Sequence, residues 1–140
     1  MITSFDDYCI QQTHEPIAQP SQSDRNSYNR YWFNGFDEEA GYIFEMGLGL
    51  YPNRSVMDGH FSVAIGDKQY AFHGSRRAPK ERADTSVGPL CVEVVKPMRQ
   101  IRVSLSKNEH DIECDLLFTA ASIPHQEPKN EMYDDGHLIM

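Results

Sequence analysis

The stretch His60–His73, HFSVAIGDKQYAFH, constrains the fold more than any other part of the chain. Phe61, Val63 and Ile65 alternate with polar or small residues, and the alternation resumes at Tyr70 and Phe72 after Gly66-Asp67. Period two is the mark of a half-buried strand, and glycine suits the first central position of a two-residue hairpin loop. Such a loop fixes the register. It sets Val63 against Tyr70 and Phe61 against Phe72 on one face, and His60 against His73 and Asp58 against Ser75 on the other. A slip by one residue would put apolar positions against polar ones.

Similar runs recur along the chain. Strands are expected at Tyr28–Phe36, Tyr42–Leu50, Val56–Ile65, Lys68–His73, Leu90–Val95, Arg99–Leu105 and Ile112–Thr119, separated by turns such as DEEAG, YPNR, GD, KP and KNEH. Evenly spaced short strands with little helical period predict an all-β fold, an antiparallel meander that curls toward a barrel. With KNEH as a loop, Leu105 faces Ile112, Val103 faces Cys114 and Ile101 faces Leu116, while Arg102 and Asp115 form an ion pair on the reverse side. A four-residue loop in the first hairpin sets Tyr31 and Phe33 against Met46 and Phe44. It also lays Tyr28 and Arg30 over Gly49 and Gly47.

The 140 residues fit one domain with a core that needs no metal or disulfide staple. A net charge of -8, from 13 basic and 21 acidic residues, argues against nucleic acid as a partner, which requires a basic face, and against acidic partners. Cys9, Cys91 and Cys114 are odd in number and widely spaced, so they read as reduced thiols. MITSFDDYC lacks the pattern of a secretory signal, and no apolar run approaches the ~20 residues of a membrane span. A cytoplasmic location is the expectation. Residues 1–25 are polar and punctuated by proline, which predicts an extended arm; 26–129 form the β domain and 130–140 a tail.

Candidate chemistry gathers in GLGLYPNRSVMDGHF, Gly47–Phe61. Gly47 and Gly49 weaken a strand unless the sheet bends there under neighbouring side chains or a ligand lies against the bare backbone. Asp58, with His60 and His73, could supply a proton-donating acid and a group that steers water. Two opposed histidines and a carboxylate can also make a zinc site, but the usual ligand spacings are absent, and neither a metal nor a cofactor is expected. Trp32, the sole tryptophan, could floor an apolar cavity with Tyr28, Tyr31 and Phe33, and Arg76 and Arg77 could hold an acidic group on the ligand. There is no phosphate-cradling glycine loop, nucleophile elbow or nucleotide fingerprint.

The series SDRNSYNRYWFNGFDEEAGYIFEMGLGLYPNRSVMDGHFSV, followed by VGPLCVEVVKPMRQIRV and EPK, resembles the N-terminal half of an uncharacterised bacterial family. In its order of parts it is similar to the double-lipocalin-like proteins that include carotenoid 1,2-hydratases (hydroxyneurosporene synthases). The resemblance spans about residues 5–129, with GLGLYPNR its most specific piece. It implies a lipocalin-like (calycin-like) barrel or half-barrel holding an isoprenoid-, steroid- or polyketide-like molecule. The partner it implies is a second lipocalin-like domain, with a homodimer as the other form of assembly. Two alternatives stand beside a hydrophobic-ligand-binding domain: half of a hydratase, isomerase or cyclase, and a structural half supporting a second β domain.

Overall fold

Ten strands and two short 3-10 turns make up the regular structure of a computed structural model that describes residues 2–9, 23–81, 83–126, 133–134 and 137–138. Strands β1 (Asn29–Asp37), β2 (Tyr42–Tyr51), β3 (Val56–Ile65) and β4 (Lys68–Arg77) form one antiparallel sheet in chain order. A second sheet, again in chain order, holds β5 (Ser86–Val87), β6 (Leu90–Lys96), β7 (Gln100–Leu105) and β8 (Cys114–Thr119). Strands β9 (Tyr133–Asp134) and β10 (His137–Leu138) pair with each other within the expected tail. The meander is thus present and all-β, but it is divided between two sheets, and among the described residues no ladder joins β4 to β5 or β8 to β1. No helix among the described residues is long and apolar enough to cross a membrane.

The core lies between the sheets. Met46, Leu48, Leu50 and Met57 from the first are fully buried with Leu90, Val103 and Leu105 from the second. Burial of such side chains stabilises by about 1.5–3 kcal/mol each. Phe44 stacks on Phe61 with ring centroids 5.7 Å apart, and Phe33 meets Phe118 across the sheets at 4.6 Å. At Gly59 and Gly74, paired on β3 and β4, the second sheet comes close: a Cβ on Gly59 would lie 2.9 Å from Leu90 Cδ2, and one on Gly74 2.8 Å from Phe72 Cζ of its own strand and 3.1 Å from Val87 Cγ1. These glycines admit the second sheet by having no side chain.

The β3–β4 hairpin has the expected register, with Phe61 opposite Phe72, His60 opposite His73 and Asp58 opposite Ser75. Gly66 has φ +61°, the left-handed conformation that its place in the turn demands. The other two predicted registers are each off by two residues, which keeps the faces but changes the partners. In the first hairpin Phe33 faces Met46, Trp32 faces Gly47 and Arg30 faces Gly49. The cause is Asp37, whose carboxylate accepts from the Glu39 and Ala40 amides at 3.0 and 2.9 Å while Gly41, at φ +68°, donates to its carbonyl. The turn therefore closes one residue later on each strand. In the β7–β8 hairpin Leu105 faces Cys114 and Val103 faces Leu116, because Asn108 organises a wider loop by donating to the Ser106 and Ile112 carbonyls. Arg102 still grips Asp115 through two hydrogen bonds of 2.6 and 2.5 Å, now as a diagonal pair.

Within the expected arm, residues 2–9 and 23–25 are described. Ser4–Asp7 form a 3-10 turn, capped by Thr3 with Asp6 bonding back to the Thr3 amide at 2.6 Å. That turn docks on the domain. The Tyr31 hydroxyl donates to the Asp7 carbonyl at 2.6 Å, the Met98 amide donates to the Asp7 carboxylate, and Cys9 enters the core. Residues 10–22 of the arm lie outside the described residues.

Candidate functional site

The face of the first sheet that points away from the core carries the candidate site. Its alternating residues fall into two cross-strand rows, Trp32–Gly47–His60–His73 and Arg30–Gly49–Asp58–Ser75. Together with Tyr51 they line an open groove of about 690 Å³.

The two glycines shape its floor. A Cβ on Gly47 would lie 2.6 Å from His60 Cε1, and one on Gly49 would lie 2.8 Å from Asp58 Oδ1 and 2.9 Å from Tyr51 Cε2. The vacated space is therefore occupied by side chains, which lets His60 and Asp58 lie down along the sheet. Tyr28 and Arg30, the expected cover, have other places. Tyr28 stacks on Tyr51 at 5.6 Å, and the Arg30 guanidinium sits over the Tyr28 and Trp32 rings at 5.9 and 5.4 Å.

His60 is the hub of the first row. Its ring meets Trp32 edge-on at 5.9 Å, stacks with His73 at 5.9 Å, and brings Nε2 to 3.6 Å from Glu45 Oε1. In the second row Arg30 and Asp58 face one another across Gly49 without forming an ion pair. Among the described residues neither group has a hydrogen bond, so donors and an acceptor are left available at the groove. The Tyr51 hydroxyl is pushed up from its ordinary value by burial, with the Asp58 charge adding to the effect. No group of three or more His, Cys, Asp or Glu among the described residues is placed to hold a metal ion.

Of the residues singled out from the sequence, Asp58, His60, His73, Trp32, Gly47 and Gly49 come together here. Tyr31 does not. Strand alternation turns it to the core face, where burial raises its hydroxyl pKa and the Asp7 carbonyl satisfies it. For the same reason Trp32 cannot share a cavity floor with Tyr31 and Phe33. Arg76 is committed elsewhere: its Nη2 donates to the Asp84 carboxylate at 2.7 Å and to the Asp84 carbonyl at 3.1 Å, which holds that carboxyl below its ordinary range. Arg77 is exposed opposite Val56, beyond the groove. Arg30, Tyr51 and Ser75 complete the site. The signals for them were two-residue spacing from Trp32, from Gly49 and from His73, respectively.

A second cleft, about 460 Å³ and more apolar, follows the seam between β1 and the β7–β8 edge, where Phe33, Met98, Ile101, Phe118 and Ile123 line it.

No curated protein and no solved structure matches the chain. A family model described as "Family of unknown function (DUF8625)" matches residues 2–140, and the chain belongs to that family.

Proposed function

We propose that the chain is a small-molecule-binding domain whose ligand lies across the outer face of the first sheet. The observation that carries this reading is the convergence of Arg30, Trp32, Asp58, His60, His73 and Ser75 on one groove, with Arg30 and Asp58 unbonded and Trp32 half exposed. A sheet face that served only as a solvated exterior has no need of a half-exposed tryptophan beside a cradled guanidinium. The fold we propose is an opened lipocalin-like barrel, in keeping with two sheets whose strands follow chain order and pair antiparallel throughout. The inner faces are filled by side chains, which leaves the outer groove for the ligand.

Amide spectra of the labelled protein, recorded against a library of small ring compounds, test this. Binding should shift the Trp32 indole N–H together with the amides of Gly47, His73 and Ser75. If ligands move only residues elsewhere, or none at all, the reading is wrong.

One observation favours a second site for a hydrophobic ligand of the isoprenoid, steroid or polyketide kind. The seam cleft is walled by Phe33, Ile101, Phe118 and Ile123, and so offers an apolar tail the surface that the outer groove lacks. Retinol or a sterol shifting Phe118 but not Trp32 would support it.

A further inference from the structure

We infer that the ligand of the outer groove is a neutral saccharide; this rests on the reading of that groove as a binding site and names its ligand class. A sugar ring has an apolar C–H face and a rim of hydroxyls, each of which both donates and accepts. The groove offers the complement of both. Trp32 supplies aromatic surface, 48% exposed, at one end of a row that His60 and His73 continue. The parallel row presents a donor at Arg30, an acceptor at Asp58 and a hydroxyl at Ser75, each able to bond to a sugar hydroxyl.

Charge separates this class from its competitors. The positive charge of Arg30 is offset by Asp58 and Glu45 on the same face, and the chain as a whole carries -8. An anionic ligand would meet the Asp58 carboxylate in the groove, and a cation would meet Arg30. A wholly apolar ligand would cover Arg30 and Asp58 without replacing their hydrogen bonds to water, a desolvation cost of the kind that rejects ligands. A neutral polyhydroxylated ring meets neither objection.

Shape favours several linked rings over one. Four strands at about 4.8 Å spacing give each row a length of roughly 14 Å. That span suits a short oligosaccharide running across the strands. Arg30, held between Tyr28 and Trp32, is positioned before the ligand arrives, which lowers the cost of ordering it.

The test uses hexasaccharides of β-1,4-glucan, β-1,4-mannan, β-1,4-xylan, β-1,3-glucan and chitin, followed by calorimetry and by amide shifts at Trp32, His73 and Ser75. At least one hexamer should bind, with an affinity that barely changes between low and high salt because the ligand is uncharged. Trp32→Ala and Asp58→Asn should each weaken that binding by about tenfold or more, Trp32→Phe should restore part of it, and Asp115→Asn on the second sheet should leave it alone. Unfolding curves for each variant distinguish lost binding from lost folding. If salicylate or another small aromatic shifts the groove residues while no hexamer does, the saccharide inference fails and the binding reading stands. Silence from hexamers and aromatics alike overturns both. Saccharide binding that survives Trp32→Ala and Asp58→Asn in folded protein overturns the placement in this groove.

Discussion

The two faces of the first sheet are written by alternate residues of the same four strands, yet they obey different rules. Toward the core, Phe44, Met46, Leu48 and Leu50 on β2 are packed to near-complete burial, Gly59 is empty because Leu90 of the second sheet presses in on it, and Gly74 because the buried Phe72 ring and Val87 fill its space. On the outer face, Gly47 and Gly49 are empty because His60, Asp58 and Tyr51 fold down over them. The lesson is that a strand glycine has no fixed meaning. What matters is whether the neighbour that fills its space is locked in a core or free to swing.

That contrast can be broken by substitution, and the largest effect belongs to the core. Leu48→Ala should cost about 2–5 kcal/mol in denaturant unfolding, since the site is fully buried and cannot collapse freely. A loss under about 1 kcal/mol would mean that the inner face is loosely packed.

Adding a single methyl on each face sharpens the comparison. Gly59→Ala drives a Cβ to 2.9 Å from the buried Leu90 side chain and should destabilise by about 1–3 kcal/mol. Gly47→Ala meets only the far end of the His60 ring, which can rotate outward, so stability should hold to within about 0.5 kcal/mol. Trp32 emission should nevertheless change as His60 leaves it. Equal costs at the two positions would erase the distinction.

The smallest effect is a pH dependence at the margin of the sheet. Arg76 holds the Asp84 carboxyl below its ordinary value of 3.8, so the folded state binds that proton less readily than the unfolded chain. The resulting stability is fully present above the ordinary value and is lost as pH falls through the lower folded one. Both side chains are substantially solvated, so the contribution is small. Asp84→Asn should flatten the acid limb of the stability profile below the carboxyl's ordinary value of 3.8, with the neutral-pH value little changed. An unaltered acid limb would show that the pair does not couple to folding.

Local alternation made much of this legible. Gly66-Asp67 leaves one possible loop, and every pair along β3 and β4 follows from it, including His60 against His73. The other hairpins slipped by two because their registers depend on side-chain bonds made by Asp37 and Asn108, which periodicity does not encode. Strand β5 is only Ser86–Val87, too short for any period, although Val87 is nearly fully buried. The division into two sheets was hidden for the same reason. At the site, the three proton-active residues were found by register, whereas Arg30 was set against Gly47 instead of Gly49, and Tyr51 lay one residue beyond the expected end of its strand at Leu50. Ser75 was paired with Asp58 from the outset but lay beyond the expected end of its strand at His73.

The docking of Asp7 also has a kinetic meaning. Its carbonyl is held by Tyr31 of the first sheet and its carboxylate by the Met98 amide, 91 residues away in the turn before β7. That clasp cannot close until β1 and the turn before β7 are both in place, so a contact of such long sequence separation forms late. Cys9 is buried at the end of the same segment, while Cys91 and Cys114 are only partly covered within strands. The rate at which a thiol reagent reaches Cys9 therefore times the release of this docked segment, a natural clock built into the chain.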